Sequence, residues 1–99
     1  EGCEPYYMPS DEMEPLIPKG ALLLIDTSAR KLAGNGLYLL DYQGTSMVRS
    51  IENRIAEGLV LSCENDKYKE VVLKAPVDFK KLRLTVLGKV AYWTHLTKA

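Results

Sequence analysis

Residues 10–28 read SDEMEPLIPKGALLLIDTS, and two patterns meet in them. The second half, Ala21 to Asp26, is a short apolar run stopped by Asp26-Thr27-Ser28, as a buried strand ends in a turn. The first half sets Pro15, Pro18 and Gly20 in a polar turn ahead of that strand. It has room for one helical turn over residues 11–16, with Ser10 or Asp11 as the N-cap. A polar, proline-punctuated loop feeding an apolar strand is the grammar of a β protein.

The rest of the chain repeats the period-2 signal. Residues 36–42 (GLYLLDY) alternate Leu37 and Leu39 against Tyr38 and Leu40, after a turn at Gly34-Asn35-Gly36. Gln43-Gly44 reads as a tight hairpin into residues 45–52, where Met47, Arg49 and Ile51 share one face and Val48 and Ser50 the other. Residues 58–63 (GLVLSC) complete a three-stranded antiparallel meander, and residues 70–73 add a short strand ended by Pro76. The last element, 82–96, is a long strand interrupted at Gly88, where a bulge would let it serve two sheets. The expected class is mainly β, built from twisted antiparallel sheets, with at most the short helical turn near 11–16.

Ninety-nine residues make a single domain, 1–99, long enough to fold on its own core. With 46% hydrophobic and 26% charged residues the chain has a globular composition, which argues against disorder. Its 13 basic and 13 acidic residues balance, so it lacks the cationic surplus that nucleic-acid binding by this segment would need. The opening EGCEP has no initiating methionine, so the chain reads as a fragment with a further domain upstream. No apolar run reaches the length of a membrane span, and residues 1–10 lack the basic start of a signal peptide. Cys3 and Cys63 are expected as free thiols in a reducing cytoplasm.

Most chemistries fail on inventory. One histidine, His95, and two distant cysteines make no metal site, and no cofactor is expected. Gly34-Asn35-Gly36 lacks the lysine and helix of a phosphate cradle. A Ser-His-Asp triad would depend on His95, among the last five residues. The acids Asp11, Glu12 and Glu14 are explained more simply as first-turn residues than as a glycosidase pair.

One constellation does carry information. Asp11, Met13, Pro15, Ile17, Gly20, Leu22 to Ile25 and Asp26 follow, without a gap, the pattern Gly-Asp-Ser-Met-x-Pro…Gly-Asp-x-Leu-Leu-Val-Asp. Val48, Arg49, Ser50 and Ile51 stand where a Val-Lys-Arg-Leu block is expected. Leu59, Leu61, Ser62, Asn65 and Tyr68 follow a third block, and Val86 to Val90 a closing Val-Leu-Gly-x-Val. Taken together, residues 8–94 resemble the LexA-like self-cleaving peptidase domain of SOS repressors, phage repressors and UmuD-type proteins. The resemblance implies the LexA/signal-peptidase-like fold.

It also implies a mechanism in which a neutral, desolvated lysine takes the proton of a serine that attacks the peptide carbonyl. The serine position is Glu12 and the lysine position is Arg49. A carboxylate is a poor nucleophile toward amides, and a guanidinium does not deprotonate. No catalytic activity is therefore expected. Glu12 and Arg49 are complementary charges, so an ion pair with bidentate geometry across the former dyad is the expectation. Ala33-Gly34 resembles a scissile bond but lies downstream, in a turn.

The remaining family role is self-association. The resemblance places the C-terminal strand at a dimer seam, which selects Val86, Val90, Tyr92 and Trp93; Tyr and Trp are common interface anchors. Tyr6 and Tyr7 form a second aromatic candidate for higher-order contact. The expected function is a homodimeric, or higher-order, oligomerisation domain of a temperate-phage repressor in a bacterial cytoplasm. Operator DNA would be read by a helix-turn-helix domain upstream, and an antirepressor protein would relieve repression. The alternatives are a working peptidase with a rearranged nucleophile and a UmuD-like protein-interaction domain.

Overall fold

The computed structural model describes residues 2–32, 34–74 and 77–94, with the backbone alone described for 77 and 78. In chain order the elements are β1 (Cys3–Tyr7), β2 (Leu22–Asp26), β3 (Gly36–Tyr42), β4 (Thr45–Arg54), β5 (Gly58–Ser62), β6 (Val71–Leu73), α1 (Val77–Leu82) and β7 (Leu84–Trp93). The seven strands form one antiparallel sheet in the order β1-β2-β7-β3-β4-β5-β6.

The meander β3-β4-β5-β6 forms as its alternation dictates. Tyr42 pairs with Thr45 across Gln43 and Gly44, whose φ values of 50° and 93° give the left-handed turn that suits a two-residue hairpin. Side chains of β3 divide between two cores, so this strand is covered on both faces. Leu39 joins Val48, Leu23, Ile25 and Val90 beneath Met8, Met13 and Ile17 of the loop between β1 and β2. Tyr38 and Leu40 join Ile51, Leu61, Leu84 and Val86, with Phe79 of α1 packed against them.

Three differences from the sequence reading have physical causes. The helical turn at 11–17 is present, with Glu14 N–H bonded to the Asp11 carbonyl and Ile17 N–H to that of Met13. Neither expected cap serves it, because Ser10 and Asp11 spend their side chains on Glu12, Lys67 and Tyr68. A second helical segment, α1, occupies residues read as loop and strand; six residues are too few for a 3.6-residue period to stand out. It ends at Arg83, whose φ of 57° turns the chain and whose N–H bonds the Lys80 carbonyl. Cys3–Tyr7 is a strand that the mixed composition CEPYY conceals. Its even-numbered residues bond toward β2, since Gly2 accepts from Thr27 and Met8 exchanges bonds with Ala21 and Gly20. Pro5 therefore faces the open edge, where a missing N–H costs no ladder bond.

The last strand is not divided between two sheets. β7 runs unbroken from Leu84 to Trp93 and lies between β2 and β3 in a single sheet; His95 and Leu96 lie outside the described residues. Two register shifts relieve it. One leaves Leu87 unmatched opposite Leu39 and Leu40, and the other leaves Ala91 unmatched opposite Leu24 and Ile25. Gly88 sits beside the first shift for a steric reason, since a Cβ there would lie 2.5 Å from Ile25 Cγ2 and 2.7 Å from the Asp26 carbonyl oxygen. Gly88→Ala should cost about 1–3 kcal/mol by forcing β2 off β7. The urea midpoint measures this, and an unchanged midpoint would show that the strands can separate freely.

Candidate functional site

The helical turn that buries Met13 and Ile17, both fully inaccessible, also fixes the position of Glu12. Arg49 projects from β4, in register with Tyr38 of β3. The two side chains meet: Arg49 Nη2 lies 2.8 Å from Glu12 Oε2, with only 17% and 20% of the respective side chains exposed. The expected contact is present, but it is not bidentate. Arg49 Nη1 donates to its neighbour's carbonyl, Val48 O, at 2.8 Å, while Glu12 Oε1 accepts from Ser10 Oγ at 2.9 Å. Each charged group therefore splits its capacity between the partner and its own loop or strand.

A second set of contacts clasps the Glu12 loop from the segment after β5. Asn65 N–H donates to the Glu12 carbonyl and Asn65 Nδ2 to the Asp11 carbonyl, at 3.1 and 2.9 Å. Tyr68 O–H donates to Asp11 Oδ1 at 2.6 Å, and Lys67 Nζ pairs with Asp11 Oδ2 at 2.7 Å. Asn65 and Tyr68 were legible as part of a motif, but their task was not. Asn65 holds the backbone at Asp11 and Glu12, and Tyr68 holds the Asp11 carboxylate. Lys67 carried no sequence signal beyond its charge.

Electrostatics follows this geometry. Burial alone would raise the Glu12 carboxyl; donation from Arg49 and Ser10, with the Arg49 charge, outweighs it and leaves the group below its ordinary 4.5. Donation from Lys67 and then Tyr68 holds Asp11 below its ordinary 3.8. Cys63, half-buried near the pair, moves the other way: burial pushes its thiol up, against the opposing influence of the Arg49 charge. A protonated thiol is not a nucleophile, and Ser10 is already donating to a carboxylate. Ser50 pairs with Leu37, on the side of β4 away from Arg49. The nearby hydroxyls of Ser10 and Tyr68 are thus each engaged by a carboxylate, that of Glu12 and that of Asp11.

The C-terminal residues singled out for self-association separate into two groups. Val86 and Val90 are each 8% exposed and belong to the chain's own two cores, while Trp93 is half-buried against the first. Tyr92 is 68% exposed. Tyr6 and Tyr7 do not cluster, because successive residues of β1 face opposite ways. Tyr6 packs on the core with its hydroxyl 3.0 Å from Ser46 Oγ, and Tyr7 stands in solvent. Both cysteines are free. Among the described residues, no helix is long and apolar enough to cross a membrane. His95 and Ala33, considered as ligand and scissile residue, lie outside the described residues.

The Glu12–Arg49 contact should report as a coupling. A double-mutant cycle with Glu12→Gln and Arg49→Met should give about 1 kcal/mol of interaction at neutral pH, measured by urea unfolding. Because Glu12 titrates lower in the folded chain, this stabilisation is complete above its ordinary value and fades as pH falls through the depressed one. A coupling within error of zero, or one indifferent to acid, would show the two groups acting independently.

A search among curated proteins returned no match for this chain. The profile of the Peptidase S24-like family, which takes in the C-terminal domains of LexA, UmuD and phage repressors, matches residues 7–91. That span contains the Glu12 turn, Arg49 and six of the strands complete or nearly so, and β1 enters it only at Tyr7. The antiparallel sheet agrees with the fold of the family. By both measures the chain belongs to the Peptidase S24-like family.

Proposed function

We propose that this domain has kept the Peptidase S24-like fold for self-association after losing self-cleavage, and that it serves a transcriptional repressor of temperate-phage type. The observation that carries the loss of cleavage is the Glu12–Arg49 pair, standing at 2.8 Å where the family places serine and lysine. A dyad needs a hydroxyl beside a neutral amine, whereas this pair is two opposite charges that stabilise each other's ionised forms. Held by Ser10, Val48 and the Asn65 clasp, the position is tied into the fold.

Self-association rests on the other end of the sheet. Pro5, Leu24 and Tyr92 lie side by side across β1, β2 and β7, with Tyr7 and Leu22 as the next pair on β1 and β2. Their neighbours Leu23 and Ile25 turn inward and are buried, so this row turns outward; Leu24 is 37% exposed and Tyr7 and Tyr92 are each 68% exposed. An apolar row of tyrosine, leucine and proline on a sheet face is costly to leave in water and matches the anchors of protein interfaces. A second copy would cover it, with β7 contributing Tyr92 where the sequence reading also looked for Val86, Val90 and Trp93. DNA reading would fall to a helix-turn-helix domain upstream, and relief of repression to an antirepressor protein rather than to cleavage.

Leu24→Ser with Tyr92→Ser should convert the domain to monomers in sedimentation experiments while its circular dichroism is retained. Full-length protein held at alkaline pH should yield no pair of fragments. Association that survives the double substitution would move the seam elsewhere, and appearance of two discrete fragments would restore the reading of a peptidase with a rearranged nucleophile.

A further inference from the structure

A cleft of about 710 Å³ opens between the β2–β3 connection, the meander, α1 and the start of β7. This lies within the range of roughly 300–1,000 Å³ typical of ligand sites. Its floor is apolar, made by Leu32, Ile51, Leu59 and Phe79 of the second core. Its rim is cationic, made by Arg30, Lys31 and Lys80, and no Asp or Glu is among its lining residues. Arg30 is braced by donation from Nε to the Thr27 carbonyl at 2.8 Å, and Lys80 belongs to the last turn of α1.

These three cations stand outside the ion pairs of the fold. Arg49 is matched by Glu12 and Lys67 by Asp11, while Glu52, Glu57 and Glu70 all converge on Arg54. Among the described residues, no carboxylate pairs with Arg30, Lys31 or Lys80. In a chain of zero net charge, the cleft is thus a local positive site built over an apolar floor. Asn35 adds a fixed polar group: its Oδ1 accepts the Asn53 N–H at 2.9 Å, which leaves its NH2 as a donor.

We propose that this cleft binds an acidic peptide segment of a partner protein, which rests an apolar side chain on Leu59 and Phe79 while its carboxylates meet Arg30, Lys31 and Lys80. Charge complementarity selects an anionic occupant, and the apolar floor selects one that also carries a hydrophobic anchor. Asn35 and Thr85 supply the hydrogen bonds that a peptide backbone needs. A nucleic acid would find three cations gathered around a pocket rather than a track along successive phosphates. The site is distinct from the groove that holds Arg49 and Cys63, and it needs neither the loss of cleavage nor the dimer seam to be correct.

The test is titration of the ¹⁵N-labelled chain with a seven-residue peptide carrying four carboxylates around a central Leu-Phe pair. The amides of Leu59, Phe79 and Val86 should shift. Affinity should fall about tenfold in Lys31→Glu with Lys80→Glu, and by a similar factor when Leu-Phe becomes Ser-Ser. Lys31→Gln with Lys80→Gln, milder for folding, should lie between. Three results would overturn the proposal: no shift of those amides at about 1 mM peptide, equal affinity for the charge-reversed variant, or equal affinity for the Ser-Ser peptide together with displacement by single-stranded oligonucleotide. The last would make the rim a site for any polyanion.

Discussion

Strand β7 must be hydrogen-bonded along both edges, because β1–β2 and β3–β6 meet in the sheet only through it. The strand that is last in the chain therefore joins the first pair of strands to the middle four. This arrangement rests on contacts between residues far apart in sequence, such as Leu24 with Tyr92 and Leu40 with Val86. Their closure entropy must be recovered by burial, and the two cores supply it on the two faces of the sheet. The close approach at Gly88 and the register shifts at Leu87 and Ala91 let one strand pair with two neighbours along its length.

The Glu12 site depends on that closure. Met13 and Ile17 can be buried only where Leu23, Ile25, Leu39 and Val90 already form a surface, and those residues come from three strands brought together by β7. Once the turn is docked, Glu12 is delivered to Arg49 and the segment after β5 closes over it through Asn65, Lys67 and Tyr68. Polar side chains at these two part-buried positions would carry a desolvation cost if they lacked partners. Opposite charges that hydrogen-bond each other, the Ser10 hydroxyl and the Val48 carbonyl offset that cost.

Much of this was written locally. The meander was legible because alternation at residues 36–42 and 45–54, and the Gln43-Gly44 turn, are decided by neighbours in sequence. The Glu12–Arg49 contact was legible because a motif fixes which strand faces which loop, and charge complementarity does the rest. β1 was hidden because Pro5 and Glu4 are edge-strand residues, whose composition argues against a strand until a partner such as β2 is known. α1 was hidden by its length. The pair is not bidentate because Ser10, two residues before Glu12, and Val48, next to Arg49, compete for the same hydrogen-bonding atoms.

By itself the sequence determined the antiparallel β class, the family, and the complementary charges at positions 12 and 49, since these are properties of period, order and side-chain chemistry. Tertiary structure alone decided what those residues face. Val86 and Val90 alternate along β7 as any seam residues would, yet they turn into the two cores, while Tyr92 is left outside by the register shift at Ala91. Arg30, Lys31 and Lys80 are ordinary surface charges in one dimension, and become one rim only when α1 packs beside the β2–β3 connection. The reason is common to both cases: alternation says that a residue has a side, and only the packing of distant strands says what lies on it.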